Sequence, residues 1–145
     1  MNVDHCVPVE LTNHQQYLRL LEKLRQKAVY VMLTQINEED EADPILSKAL
    51  SCMELVEKRY VGKWPGTVRK GTKASQYLFR ADDRFFKFLK GFPAFFFNRK
   101  DGWGCDLVEE TDFGQDDIAF LDKEQYMLFY TTTHEGYAYG ARAVL

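Results

Sequence analysis

The apolar positions of the chain change period part-way along it, and that change divides it into two halves. In the first half they recur at helical spacing. Tyr17, Leu18, Leu21, Leu24 and Ala28 share one helical face, and Thr12 with Gln15 three positions on supplies a capping box before them. Val29 to Leu33 are apolar and mostly β-prone and follow without a breaker, so residues 29 to 36 either extend this helix or begin a strand. Asp43 as N-cap and Pro44 at the first helical position open a second helix, with Ile45, Leu46, Ala49, Leu50, Met53 and Val56 on one face. Gly62, Pro65, Gly66 and Gly71 punctuate residues 61 to 75, which read as a loop. Asp82 starts a short helix through Lys90, with Phe85, Phe88 and Leu89 inward and Gly91 at its end.

From Phe92 onward the period shortens to two, and turn residues separate short strands. Ala94 to Asn98 and Trp103 to Glu109 flank a loop containing Asp101-Gly102, and Trp103 is expected to pack across that hairpin. Asp117 to Leu121 and Gln125 to Thr133 flank a second turn, and Tyr137 to Ala143 follows His134-Glu135-Gly136, a loop whose glycine suits a left-handed closing residue. Helices followed by strands joined through short loops predict an α+β fold. Its N-terminal helices should cover one face of a C-terminal antiparallel β-meander of about five strands, because parallel pairing would need long crossovers. Residues 1 to 145 are read as a single domain, with a core drawn from 11 Phe and 8 Tyr.

Charge narrows the classes of partner. A net charge of −3 gives no global attraction to nucleic acid or to an anionic membrane. No apolar run approaches the ~18 residues of a membrane span, and Met1-Asn2-Val3-Asp4-His5 lacks the basic and apolar regions of an export signal. Cys6, Cys52 and Cys105 form no C-x-x-C pair and suit a reducing compartment, so free thiols and a cytoplasmic location are expected.

Four patterns carry candidate chemistry. Cys105 and His134 could act as nucleophile and base, with Glu135 or Asp106 orienting the imidazole, in a hydrolase or transferase. The bland alternative, a buried structural thiol within a strand, is favoured. Lys63, Trp64, Arg69, Lys70 and Lys73, with Lys58, Arg59 and Tyr60 beside them, interleave cations and rings as a single-strand nucleic-acid binder does, although no overall basic face accompanies them. Gly66 and Gly71 have phosphate-loop spacing, but the chain reads Gly71-Thr72-Lys73 where that loop needs Gly-Lys-Ser/Thr. Finally, residues 37 to 43 and the set Glu109, Glu110, Asp112, Asp116, Asp117 and Asp122 are acidic. They lack the glycine and alternating oxygens of a calcium loop, no His and Cys have zinc spacing, and neither metal nor cofactor is expected. As docking surfaces they would raise the encounter rate with a basic protein.

The run from Asp117-Ile118-Ala119-Phe120-Leu121 through Thr132-Thr133-His134-Glu135-Gly136-Tyr137-Ala138-Tyr139-Gly140 resembles the closing strands of small bacterial proteins, some similar to immunity proteins of polymorphic toxin systems. That resemblance implies a non-enzymatic protein that neutralises a cognate, basic toxin. Glu109, Glu110, Asp112, Asp116, Asp117, His134 and Glu135 would then form the binding face.

Overall fold

The computed structural model of the chain describes residues 2–35, 43–65, 67–68 and 74–145. The first half contributes more strands than its helical periodicity announces. In order they are β1 (Val7–Val9), helix α1 (His14–Lys27), β2 (Tyr30–Gln35), helix α2 (Pro44–Cys52) and β3 (Leu55–Val61). A small hairpin of β4 (Lys63–Trp64) and β5 (Thr67–Val68), then β6 (Ala74–Arg80) and helix α3 (Asp83–Leu89), complete it. The second half supplies β7 (Phe96–Lys100), β8 (Asp106–Glu110), β9 (Asp117–Leu121), β10 (Met127–Thr132) and β11 (Tyr137–Gly140).

The fold is α+β, but the strand arrangement differs from a five-strand C-terminal meander. The main sheet has seven antiparallel strands in the order β1-β11-β10-β9-β2-β6-β3. Only β9, β10 and β11 are consecutive neighbours, while β7 and β8 form a separate hairpin. The helices are not confined to the N-terminus either, since α3 lies between β6 and β7. Within residues 29 to 36, open between helix and strand, Tyr30–Gln35 form β2, an interior strand of the sheet paired with β6 on one side and β9 on the other.

Local chemistry explains the helix limits. The Asp43 carboxylate accepts from the Leu46 N–H at 2.8 Å, and that of Asp82 accepts from Phe85 at 3.0 Å. The α1 cap sits one residue later than the sequence suggests: Asn13 accepts from the Gln16 N–H, and the Gln16 amide oxygen accepts from the Thr12 N–H. None of the described helices is long and apolar enough to cross a membrane.

The core lies between the sheet and the helices. Val31, Leu33, Tyr77, Phe79, Ile118, Phe120 and Phe129 meet Tyr17, Leu21 and Leu24 of α1, Ile45 and Leu46 of α2, and Phe85, Phe86 and Leu89 of α3. Aromatic edges meet faces here, as Phe95 does with Tyr17 and Phe113 at 5.0 Å centroid distances. The buried Tyr17 hydroxyl donates to the Leu89 carbonyl at 2.6 Å, which ties α1 to the end of α3. On the opposite face Met32, Leu78, Ala119, Leu121, Met127 and Tyr130 pack beneath Val3 and Cys6.

Asn98 in β7 fastens the separate hairpin to this body. Its N–H donates to the Leu11 carbonyl, its side-chain oxygen accepts from the Leu11 N–H, and its side-chain amide donates to the Gly136 carbonyl. Gly136 closes the turn before β11 at φ +71°, and a Cβ there would stand 2.2 Å from Cγ2 of Val108 in β8. Gly136→Ala is therefore expected to cost about 2–3 kcal/mol in urea denaturation, the left-handed backbone accounting for about 1–2 of it. Val108→Ala in that background should recover the steric share and leave the backbone share.

Candidate functional site

The strand β8 presents the main open edge of the hairpin. In an antiparallel ladder, opposed residues exchange both main-chain bonds or neither. Asn98 lies opposite Val108 and sends its N–H to Leu11 on the far side, so Val108 turns its own N–H and C=O away from β7. By alternation Asp106 and Glu110 do the same, and every residue of β8 is exposed. At the tip, the Asp101 carboxylate accepts from the Trp103 and Cys105 N–H groups at 2.8 and 3.0 Å. This tight turn leaves Trp103 92% exposed, so it does not pack across the hairpin as expected.

Carboxylates line the hairpin. Glu109 pairs with Arg99 at 3.1 Å, Lys100 pairs with Asp106, and Glu110 accepts from the Gln115 side chain at 2.5 Å. Asp112 is exposed just beyond β8. A groove of about 670 Å³ separates the hairpin from β1 and β11, with Glu10, Arg99, Lys100, Asp106, Glu135 and Tyr137 on its walls.

The other acids of the expected binding face lie elsewhere. Asp116 and Asp117 are only 6% and 3% exposed and cannot serve an exterior docking surface. One oxygen of Asp117 accepts from the Trp64 indole N–H at 2.8 Å and the other from the Thr133 N–H at 2.8 Å. The Thr133 hydroxyl donates to the Asp116 carbonyl at 2.7 Å and meets the Thr131 hydroxyl at 2.7 Å, so a polar network pins the start of β9 to the end of β10. Burial pushes the Asp117 carboxyl up against the lowering effect of Thr133 and Trp64. Burial, then the hydrogen bond and charge of Asp43, then Asp117, push Asp116 up to about 9. Asp116 Oδ2 has no donor among the described residues. Burial and the neighbouring Asp43 carboxyl, which caps α2, both favour the protonated Asp116 carboxyl.

The alternative sites fare differently. Cys105 is exposed in the hairpin turn rather than buried within a strand, because the Asp101 carboxylate holds its N–H in the loop before β8; His134 is exposed before β11, 3.5 Å from Glu135, and among the described residues no hydrogen bond joins Cys105 to His134. Cys6, Cys52 and Cys105 are all free thiols. Lys63 is exposed, but the Trp64 ring is 4% exposed and unavailable to stack on a base. Arg69, Lys70 and Lys73 lie outside the described residues, as do residues 37 to 42 of the acidic stretch. Sequence reasoning missed the Asp117 to Trp64 bond, whose only local signal is a pair of acids opening an apolar strand.

No family model, curated protein or solved structure matches the chain.

The raised Asp116 sets the sign of a pH effect. The folded chain keeps this proton up to about pH 9, whereas the unfolded chain releases it near the ordinary value of 3.8, so stability from this group is full below about pH 4 and declines as pH climbs to 9. Asp116→Asn keeps a donor toward Asp43 and has no proton to lose. It is expected to stabilise the protein by about 1–3 kcal/mol at pH 8, with little change at pH 4, in denaturation measured across pH. Trp64→Phe should cost about 1–3 kcal/mol by leaving an Asp117 oxygen buried without its donor.

Proposed function

We propose that the chain is a non-enzymatic cytoplasmic binding protein that holds a basic protein against the β7–β8 hairpin, as an immunity protein occludes its toxin. The observation that carries this reading is the free, fully exposed edge of β8, flanked by the carboxylates of Asp106, Glu109, Glu110 and Asp112 and ending at exposed Trp103. An extended segment of the partner adds to the outward main-chain groups of Asp106, Val108 and Glu110, and main-chain bonds of this kind supply affinity independent of sequence. Lysines and arginines on that segment meet the carboxylates, and Trp103 supplies an aromatic anchor of the kind that dominates interface energies. Glu135 and Glu10 across the groove extend the negative surface.

The edge also disfavours a second copy of itself. A two-fold pairing centred on Val108 sets Asp106 opposite Glu110 twice, which places like charges face to face.

Co-expression with a toxin encoded beside the gene tests the reading. The wild-type chain is expected to rescue growth. Glu109→Lys, Glu110→Lys and Asp112→Lys together should abolish rescue while leaving the melting temperature within a few degrees, since all three side chains are exposed. Unabated killing with the wild-type chain, or rescue that survives the triple reversal, would discard it.

A further inference from the structure

The far edge of the main sheet, β3, has a different character. The Arg80 N–H donates to the Glu54 carbonyl, and the ladder shifts at Leu55/Glu57, after which Glu57, Arg59 and Val61 stand opposite Leu78, Gln76 and Ala74. The Ala81 N–H donates to the carbonyl of Val29, just before β2, so odd-numbered residues of β6 bond toward β2 and even-numbered ones toward β3. Alternation then turns the main-chain groups of Glu57, Arg59 and Val61 inward to β6, and those of Lys58 and Tyr60 outward to the open edge.

This edge is self-complementary in one register. Two copies meeting about a two-fold axis perpendicular to the sheet keep each residue on the same face, so only residues of like parity oppose one another. Centred on Lys58, the pairing lets Lys58 exchange both main-chain bonds with its own copy, and Tyr60 falls opposite the bulge at Val56. Glu57 faces Arg59 twice, in non-hydrogen-bonded positions where side chains approach most closely. Shifting the centre to Glu57 or to Arg59 removes both ion pairs. The like pair in the favoured register is Lys58 with itself, and each Lys58 ammonium is already held 5.2 Å from the Tyr60 and Tyr77 ring centroids of its own chain. Exposed Leu55, Val56 and Tyr60 lie along the strand, and exposed Leu50 lies near the end of α2 just before it.

The other end of the sheet is blocked. The Ala141 N–H donates to Leu128 on β10, so Val7 and Val9 bond toward β11 while Pro8 turns outward, where it has no N–H to offer.

We propose that the chain forms a two-fold dimer by antiparallel pairing of β3 with β3, centred on Lys58 and held by reciprocal Glu57 to Arg59 ion pairs. The surface is separate from the hairpin, so the two readings stand or fall independently. Sedimentation equilibrium of the full chain at up to about 500 μM should show a species of twice the 17.0 kDa chain mass. Glu57→Arg sets four cations together and should raise the dissociation constant at least about tenfold; adding Arg59→Glu restores the pairs with sign reversed and should restore the dimer. Hydrogen exchange at the Lys58 and Tyr60 amides should slow as concentration rises. A monomer throughout would overturn the proposal. So would a dimer indifferent to Glu57→Arg, one that the double swap fails to restore, or one that leaves those two amides unprotected.

Discussion

The architecture depends on β2 being hydrogen-bonded along both edges. Tyr30 to Gln35 pair with β6, and Tyr30 to Thr34 pair with β9, so this strand joins the N-terminal half of the chain to the C-terminal half. Its side chains alternate between two packed layers: Val31 and Leu33 enter the helix-covered core, while Met32 joins the smaller cluster on the other face. Without this seam β9, β10 and β11 would form a short meander with an open edge, and β3 and β6 a lone pair. The free edges of β3 and β1 are outer edges only because β2 closes the middle.

The helices were legible because their boundaries are written in single residues. Asp43-Pro44 and Asp82 announce caps that need no tertiary partner, and both carboxylates bond the expected N–H groups. Strands buried on two faces carry no such mark. Ala74 to Phe79 are all buried, so the alternation that betrays a half-exposed strand is missing. β3 is hidden for the opposite reason: Lys58 and Arg59 belong to a charged patch beside a glycine-punctuated loop, and only pairing with β6 makes them a strand. The five short segments from residue 94 onward were recognisable as strands, but which ones adjoin is set by contacts across the whole chain.

The exposure of the acidic run was legible in part, and the division follows from what decides burial. Glu109, Glu110 and Asp112 are exposed, as an acidic run usually is. Asp116 and Asp117 belong to the same run and are buried because Trp64 and Asp43, remote in sequence, come to meet them. A carboxylate enters a protein interior when donors or a proton await it there, and those partners are invisible in a local window. The same holds for Trp103, whose size suggests a core residue and whose place at a turn tip exposes it.

Pro8 gives the main sheet a direction of growth. At one end the strand is three residues long and its outward position lacks a donor, whereas the seven-residue strand at the other end turns the main-chain groups of Lys58 and Tyr60 outward. A sheet with two receptive ends could add copies without limit and lengthen into a fibre. With an imino acid at one end, the pairing proposed for β3 would close as a two-fold pair, because the β1 edge offers no N–H at Pro8 to continue it.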